Sequence, residues 1–232
     1  MKKRFFKIIA VFLIGVLGGI FADQVLLPYF YKNNPNQRPV YINETKEIKI
    51  QENVVLTEAV EKVKNLVVGI KATKKSGAVI TGSGLIISSD GLMVTLVSLA
   101  PSGAEVSLYL EDKKVTGQVL KRDIQENLAL IKISESNLPT AGFGDFNSVK
   151  LGQRVFLMAA VFENDETNKL VNEGVVKIIN KDYIKTNISE SYSVLGSTLF
   201  DINGNILGLN FINNKKEIIT MPSFKIKQLA GF

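Results

Sequence analysis

The side chains able to do chemistry here are restricted in type: among 232 residues there is no histidine and no cysteine. Without Cys there are no thiolate nucleophiles, no disulfides and no zinc-finger sites. Without His the chain lacks the one group whose unperturbed pKa suits a proton relay near neutrality. Nucleophilic work would fall to hydroxyls, and Ser98, Ser193 and Ser197 are the candidates for pairing with a lysine base. Such a dyad needs a buried lysine of depressed pKa, whereas the lysines of this sequence read as solvated surface. A metal site would have to be built from carboxylates, and no Asp/Glu spacing matches a calcium loop. The expectation is no metal and no cofactor. Gly82-Ser83-Gly84 is only superficially a phosphate loop, because it sits inside a strand pattern with no helix after it. A bulge or tight barrel corner is the better account.

The elements that must position these groups are mostly strands. After a short helical pattern with Thr57 as N-cap of Glu58–Val63, candidate strands run over Val67–Thr73, Val79–Ser88, Leu92–Ser98, Glu105–Leu110, Lys114–Lys121 and Leu128–Ile133. A connector, Asn137–Lys150, precedes Arg154–Phe162, Glu173–Asn180, Tyr183–Thr186, Ser197–Asp201, Ile206–Phe211 and Glu217–Met221. Turn signals stand at Ser89-Asp90-Gly91, Asn203-Gly204 and Asn213-Asn214, where hairpins require them. Ser223–Leu229 reads as a closing helix capped by Ser223. Periodicity alone fits two packed antiparallel barrels or a sandwich equally well.

The net charge of +6 divides unevenly. Lys2, Lys3, Arg4 and Lys7 supply four positive charges in an acid-free leader, and the remainder holds 24 basic against 22 acidic residues. That is an ordinary solvated surface with no basic stripe, and nucleic acid is excluded as the expected partner. Phe5–Ala22 is apolar apart from Lys7; eighteen helical residues reach about 27 Å, close to the hydrocarbon thickness of a bilayer. The Lys2-Lys3-Arg4 cluster would stay cytoplasmic under the positive-inside rule, placing everything after Asp23 outside. A cleaved signal peptide ending at Ala22 is the rival, but Ile20 is a poor residue two places before it, and Tyr29, Phe30 and Tyr31 fit an interfacial belt. The reading is therefore an uncleaved anchor over 1–31, a solvated stalk over 32–54, and β-rich domains over 55–140 and 141–232.

Motif order then separates the possible folds. Thr81-Gly82-Ser83-Gly84-Leu85-Ile86-Ile87 precedes Asp90-Gly91-Leu92-Met93-Val94-Thr95. Asn127-Leu128-Ala129-Leu130-Ile131-Lys132-Ile133 and Phe143-Gly144-Asp145 follow, and the segments Thr186–Leu199 and Gly204–Asn210 complete the series. Four such blocks in order, spanning residues 56–232, resemble the HtrA/Deg branch of the trypsin-like serine proteases. The resemblance implies an all-β fold of two six-stranded antiparallel barrels, here preceded by a single transmembrane helix, with no PDZ domain following.

Transferred by motif, the catalytic His position falls on Ser98, the Asp on Asn127 and the Ser on Leu195. The oxyanion loop falls on Ser193 and Val194, with Tyr192 in place of a proline. The glycines that keep the specificity pocket open fall on Lys216 and Ile218, a change that implies a filled slot. The family's Gly-Asn-Pro loop becomes Ala159-Ala160-Val161. The expectation drawn from these replacements is a pseudoprotease: not an enzyme, anchored in the cell membrane and binding peptide or protein outside the cytoplasm. An endopeptidase with a relocated nucleophile and a structural envelope domain are the alternatives.

Overall fold

A computed structural model describes residues 2–32, 52–111, 113–164, 166–191 and 193–232. The expected stalk falls almost wholly on 33–51, and Tyr192 on 192, outside the described residues. The chain divides into two compact units, Met1–Lys49 and Ile50–Phe232. In the first, α1 (Lys2–Phe21) continues through a π-helical segment, Ala22–Leu26, into α2 (Leu27–Lys32). The stretch Ile9–Leu26 is long and apolar enough to cross a membrane.

The second unit opens with α3 (Glu52–Val63). Thr57 lies inside this helix, not at its start, and its hydroxyl donates to the Val54 carbonyl at 3.0 Å. A mid-helix threonine spends its hydroxyl on the preceding turn in this way. Seven strands follow: β1 (Val67–Thr73), β2 (Val79–Ile86), β3 (Leu92–Leu96), β4 (Glu105–Leu110), β5 (Lys113–Thr116), β6 (Gln118–Asp123) and β7 (Leu128–Lys132). They hydrogen-bond in the order β5-β4-β1-β2-β3-β7-β6. The expected first six-stranded barrel is thus a seven-stranded sheet, and Gly117 is the reason. The single expected strand Lys114–Lys121 breaks there: β5 pairs with β4 and β6 with β7, the two opposite edges of the sheet. A side chain at Gly117 would press on Leu108 and Ile131 across the curled sheet, with Leu108 Cδ1 at 2.5 Å.

The other sheet is a closed barrel, β10-β13-β12-β11-β8-β9. Its strands are β8 (Arg154–Glu163), β9 (Glu166–Ile179), β10 (Ile184–Thr186), β11 (Thr198–Asp201), β12 (Ile206–Ile212) and β13 (Ile218–Pro222). β9 is far longer than the expected Glu173–Asn180, because β8 and β9 form one hairpin running to the Glu163–Glu166 pair. Phe162 and Thr167 at its tip lie over Gly69 of β1, where a Cβ would meet both at 2.9 Å. Phe162 also meets Tyr109 edge to face, with centroids 5.2 Å apart.

Each sheet encloses its own apolar cluster. A third cluster lies between the sheets and joins Val63 of α3, Leu128 of the first sheet, Phe156 and Phe200 of the barrel and Ile226 of the last helix. Phe156 and Phe200 stack at 5.3 Å and are fully buried, each worth roughly 2–3 kcal/mol. The last helix, α4 (Ser223–Ala230), begins after Pro222 and ends at Gly231, whose φ of +85° suits a glycine stop. Ser223 is its first residue and not its cap. The Ser223 hydroxyl turns instead to the Gly144 carbonyl of the connector, at 3.2 Å.

Candidate functional site

The seam between the sheets is organised by one tight turn. Val194 to Ser197 closes with Ser197 N–H donating to the Val194 carbonyl at 3.1 Å. Gly196 in its third position has φ +72°, the geometry of a type II turn, which calls for glycine there. Leu195 is the corner residue. Its carbonyl accepts from Ser83 N–H at 2.8 Å, and its half-buried side chain joins the apolar cluster of the first sheet.

Gly82-Ser83-Gly84 explains the close approach. β2 pairs with β1 from Val67↔Leu85 to Thr73↔Val79 without a register shift, so the expected bulge is absent. The glycines are packing contacts: a Cβ on Gly82 would meet Leu99 Cδ1 at 2.6 Å and Leu195 O at 2.7 Å, and one on Gly84 would meet Ile70 Cδ1 at 2.7 Å. Between them Ser83, wholly buried, bridges the two sheets. Its hydroxyl accepts from Ala160 N–H at 2.8 Å and donates to the Ala160 carbonyl at 3.3 Å. β11 starts at Thr198, opposite Met158 of β8, so it does not reach Ala160. The serine hydroxyl stands in for the missing strand. Thr95 adds a 2.7 Å bond to the Ser83 carbonyl. Deeper in, Thr220 donates to Asn210 Oδ1 at 2.6 Å and Asn210 donates to the Ser197 hydroxyl at 3.0 Å.

Ser98 lies in the 3-10 turn Val97–Leu99 that follows β3 and is exposed. Asn127 precedes β7 with φ +53°, and its carbonyl accepts from Val97 N–H at 3.2 Å. Leu99, next to Ser98, reaches the space beside Gly82 and Gly196. The segments carrying Ser98, Asn127 and Leu195 therefore meet along this seam. Among the described residues no side-chain hydrogen bond joins the three. Val194 is buried and Ser193 exposed; within that same set neither the Ser193 nor the Leu195 amide has a backbone acceptor. Of the candidate hydroxyls, Ser197 is wholly buried and engaged by Asn210, whereas Ser98 and Ser193 face solvent.

A cavity of about 220 Å³ opens beside the turn, lined by Ile188, Glu190, Val194, Ile212, Lys216 and Ile218 among others. The expected filled slot is thus open. Lys216 keeps the left-handed backbone, φ +60°, that a glycine would favour, and Ile218 is only half-buried. Lys185 and Glu217, paired at 2.5 Å, line both this cavity and a larger neighbour of about 490 Å³ floored by Tyr183, Phe211 and Ile219. The hydrogen bond from Lys185, then that from Asn213, holds the Glu217 carboxyl below the ordinary carboxylate range.

The backbone of β12 is open at this cavity. Asn210 spends its amide on Ser197 O and its carbonyl on Gly196 N. By antiparallel alternation, the Ile212 amide and carbonyl point the same way, past the start of β11 at Thr198. Nothing among the described residues pairs with them there. Elsewhere, Lys169 of β9 turns its ammonium in to the Val67 carbonyl, and burial pushes its pKa down to about 8.

The family model of the trypsin-like peptidase domain matches residues 82–209, more than half of the chain. The chain belongs to the trypsin-like peptidase family. Among curated trypsin-like relatives is one from Halomonas elongata named "Probable periplasmic serine endoprotease DegP-like", 28% identical over 138 residues, covering 56% of this chain and 28% of the relative. A protein of the same name from Pseudomonas putida is 29% identical over 138 residues, with 56% and 28% covered. This trypsin-like chain thus spans little more than a quarter of the relatives' length. The HtrA-type protease AlgW, solved with a tripeptide, superposes with a TM-score of 0.67 at 21% identity, over 76% of this chain and 62% of that one.

The HtrA/Deg resemblance read from the motifs agrees with these matches. The expectation that the chain is not an enzyme is corrected by them: the family is a peptidase family, and the relatives and neighbour are named as proteases. The replacements at Ser98, Asn127 and Leu195 bear on which groups could carry chemistry, and do not remove the chain from the family.

Sequence reasoning passed over Ser83, Ile212 and the Lys185–Glu217 pair. A serine between two glycines in an apolar strand was the available signal for the first. No sequence signal marks the second, because an open edge depends on where another strand begins.

Proposed function

We propose that this chain is a membrane-tethered trypsin-like domain that stands outside the cytoplasm and grips an extended peptide or protein segment beside Leu195. The observation carrying the proposal is the unpaired backbone of Ile212 next to the cavity between Val194 and Ile218. A peptide laid there adds a strand to β12, with main-chain hydrogen bonds supplying affinity and the cavity taking an alternate side chain. The tripeptide in the AlgW structure supports the choice of ligand class.

Support for the tether comes from the apolar span Ile9–Leu26 behind a basic N-terminus, which orients inward under the positive-inside rule. The relatives' description as periplasmic agrees with the outward placement of the body.

The test is binding of fluorescent extended peptides to the full chain in detergent micelles. Ile212→Pro deletes the one amide donor aimed at the ligand and leaves the β13 side of the strand bonded. Binding to the parent and loss in this variant are expected. If neither protein binds any peptide, the domain is a structural envelope element instead.

A further inference from the structure

The charged residues around the 220 Å³ cavity are not equivalent. Glu217 is engaged by Lys185 at 2.5 Å and by Asn213 Nδ2 at 3.1 Å. Glu190 accepts from Asn172 Nδ2 at 2.5 Å. Both carboxylates, and Lys185 with them, are thereby occupied. The Lys216 ammonium has no hydrogen-bond or ion-pair partner among the described residues. Its position is set by a rigid turn: Lys216 N–H donates to the Asn213 carbonyl at 2.9 Å, and Asn213 Oδ1 accepts from the amides of Lys215 and Glu217 at 2.9 and 3.0 Å. The rest of the wall mixes Ile188, Val194, Ile212 and Ile218 with Thr186 and Ser189. A cavity of mixed lining bordered by one exposed lysine whose charge is uncompensated among the described residues, beside an open strand edge, suits a short side chain that ends in a negative charge.

We infer that Lys216 makes this cavity a carboxylate-reading pocket, so that the segment gripped at Ile212 carries a carboxylate in the position beside Val194. This rests on the peptide-gripping reading and adds its specificity. A glutamate side chain and a peptide C-terminus offer the same group.

The experiment uses the full chain in neutral detergent and labelled extended peptides identical except at one internal position, Glu, Gln, Val or Lys, each with an amidated end. A further Gln peptide carries a free C-terminus at that position. The Glu peptide binds about fivefold tighter than the Gln peptide at low salt, the range of a partly exposed ion pair, and the difference shrinks as salt is added. The preference disappears in Lys216→Gln and turns toward the Lys peptide in Lys216→Glu. A preference for the free C-terminus over internal Glu assigns the carboxylate to a chain end; the reverse assigns it to a side chain. Equal binding of the Glu, Gln and free-end peptides overturns the inference while leaving peptide gripping intact. Failure of every peptide to bind overturns both.

Discussion

Replacing Ser83 by alanine removes one oxygen atom from the centre of the molecule and tests how the two sheets are joined. In the parent, the Ser83 hydroxyl satisfies the amide of Ala160 at 2.8 Å and, less closely, its carbonyl at 3.3 Å. Ser83 is wholly buried and Ala160 nearly so, and β11 does not extend far enough to take over. An orphaned buried amide costs roughly 1–3 kcal/mol, and losing the longer bond adds a fraction of that. The expected destabilisation is about 1–4 kcal/mol. With a urea slope of about 2–3 kcal/mol/M for a domain of this size, the midpoint falls by about 1 M at unchanged slope. Ser98→Ala is the control: an exposed hydroxyl without a side-chain partner among the described residues, its loss stays within about 0.5 kcal/mol. Equal midpoints for Ser83→Ala and Ser98→Ala in urea denaturation followed by circular dichroism would refute the bridging role.

Other perturbations separate the remaining parts of the account. Gly196→Ala places a Cβ inside the shell of the Ser83 carbonyl at a residue with φ +72°, so the loss should exceed the roughly 1–2 kcal/mol of the left-handed backbone alone; thermal melting measures it. Lys169 has its pKa lowered to about 8 by burial in the folded state. The unfolded chain then binds the extra proton between pH 8 and about 10.4, so stability rises with pH across that window. Lys169→Met flattens the rise in urea midpoints measured from pH 7.5 to 10.5. For Glu217 the sign is opposite: its depressed carboxyl contributes stability above the ordinary Glu range, lost on acidification below it; Glu217→Gln removes that part of the acid sensitivity. Any hydrolysis of a bound peptide proceeds without an imidazole, so its pH–rate profile carries no inflection from a histidine near pH 6.5. It disappears in Ser98→Ala or Ser193→Ala.

Strand positions were legible wherever apolar residues formed compact runs, as in Leu128–Ile133 or Ile206–Phe211. They were illegible where a strand is solvated on both faces. Glu166–Asn172 of β9 is mostly polar and exposed, and only its pairing with β8 makes it a strand. Lys114–Lys121 looks continuous because one glycine in a strand carries no sign of whether it bends the sheet; the division at Gly117 follows from Leu108 and Ile131 beneath it. Thr57 and Ser223 mimic caps locally, but a preceding helical turn and the connector carbonyl of Gly144 claim their hydroxyls. At the site, the segments carrying Ser98, Asn127 and Leu195 are far apart in sequence, and only the fold shows them meeting at one seam. Residue size at Lys216 and Ile218 did not foretell the open cavity, because lysine there adopts the backbone of a glycine and borders the opening without filling it.

Amide hydrogen exchange at Ile212, measured on the full chain with and without a saturating extended peptide, tests most directly whether the free edge of β12 receives a ligand strand. The account predicts slowed exchange at Ile212 on binding, with the Asn210 amide, already bonded to Ser197, little changed. A peptide that binds while Ile212 exchanges at its original rate contradicts it.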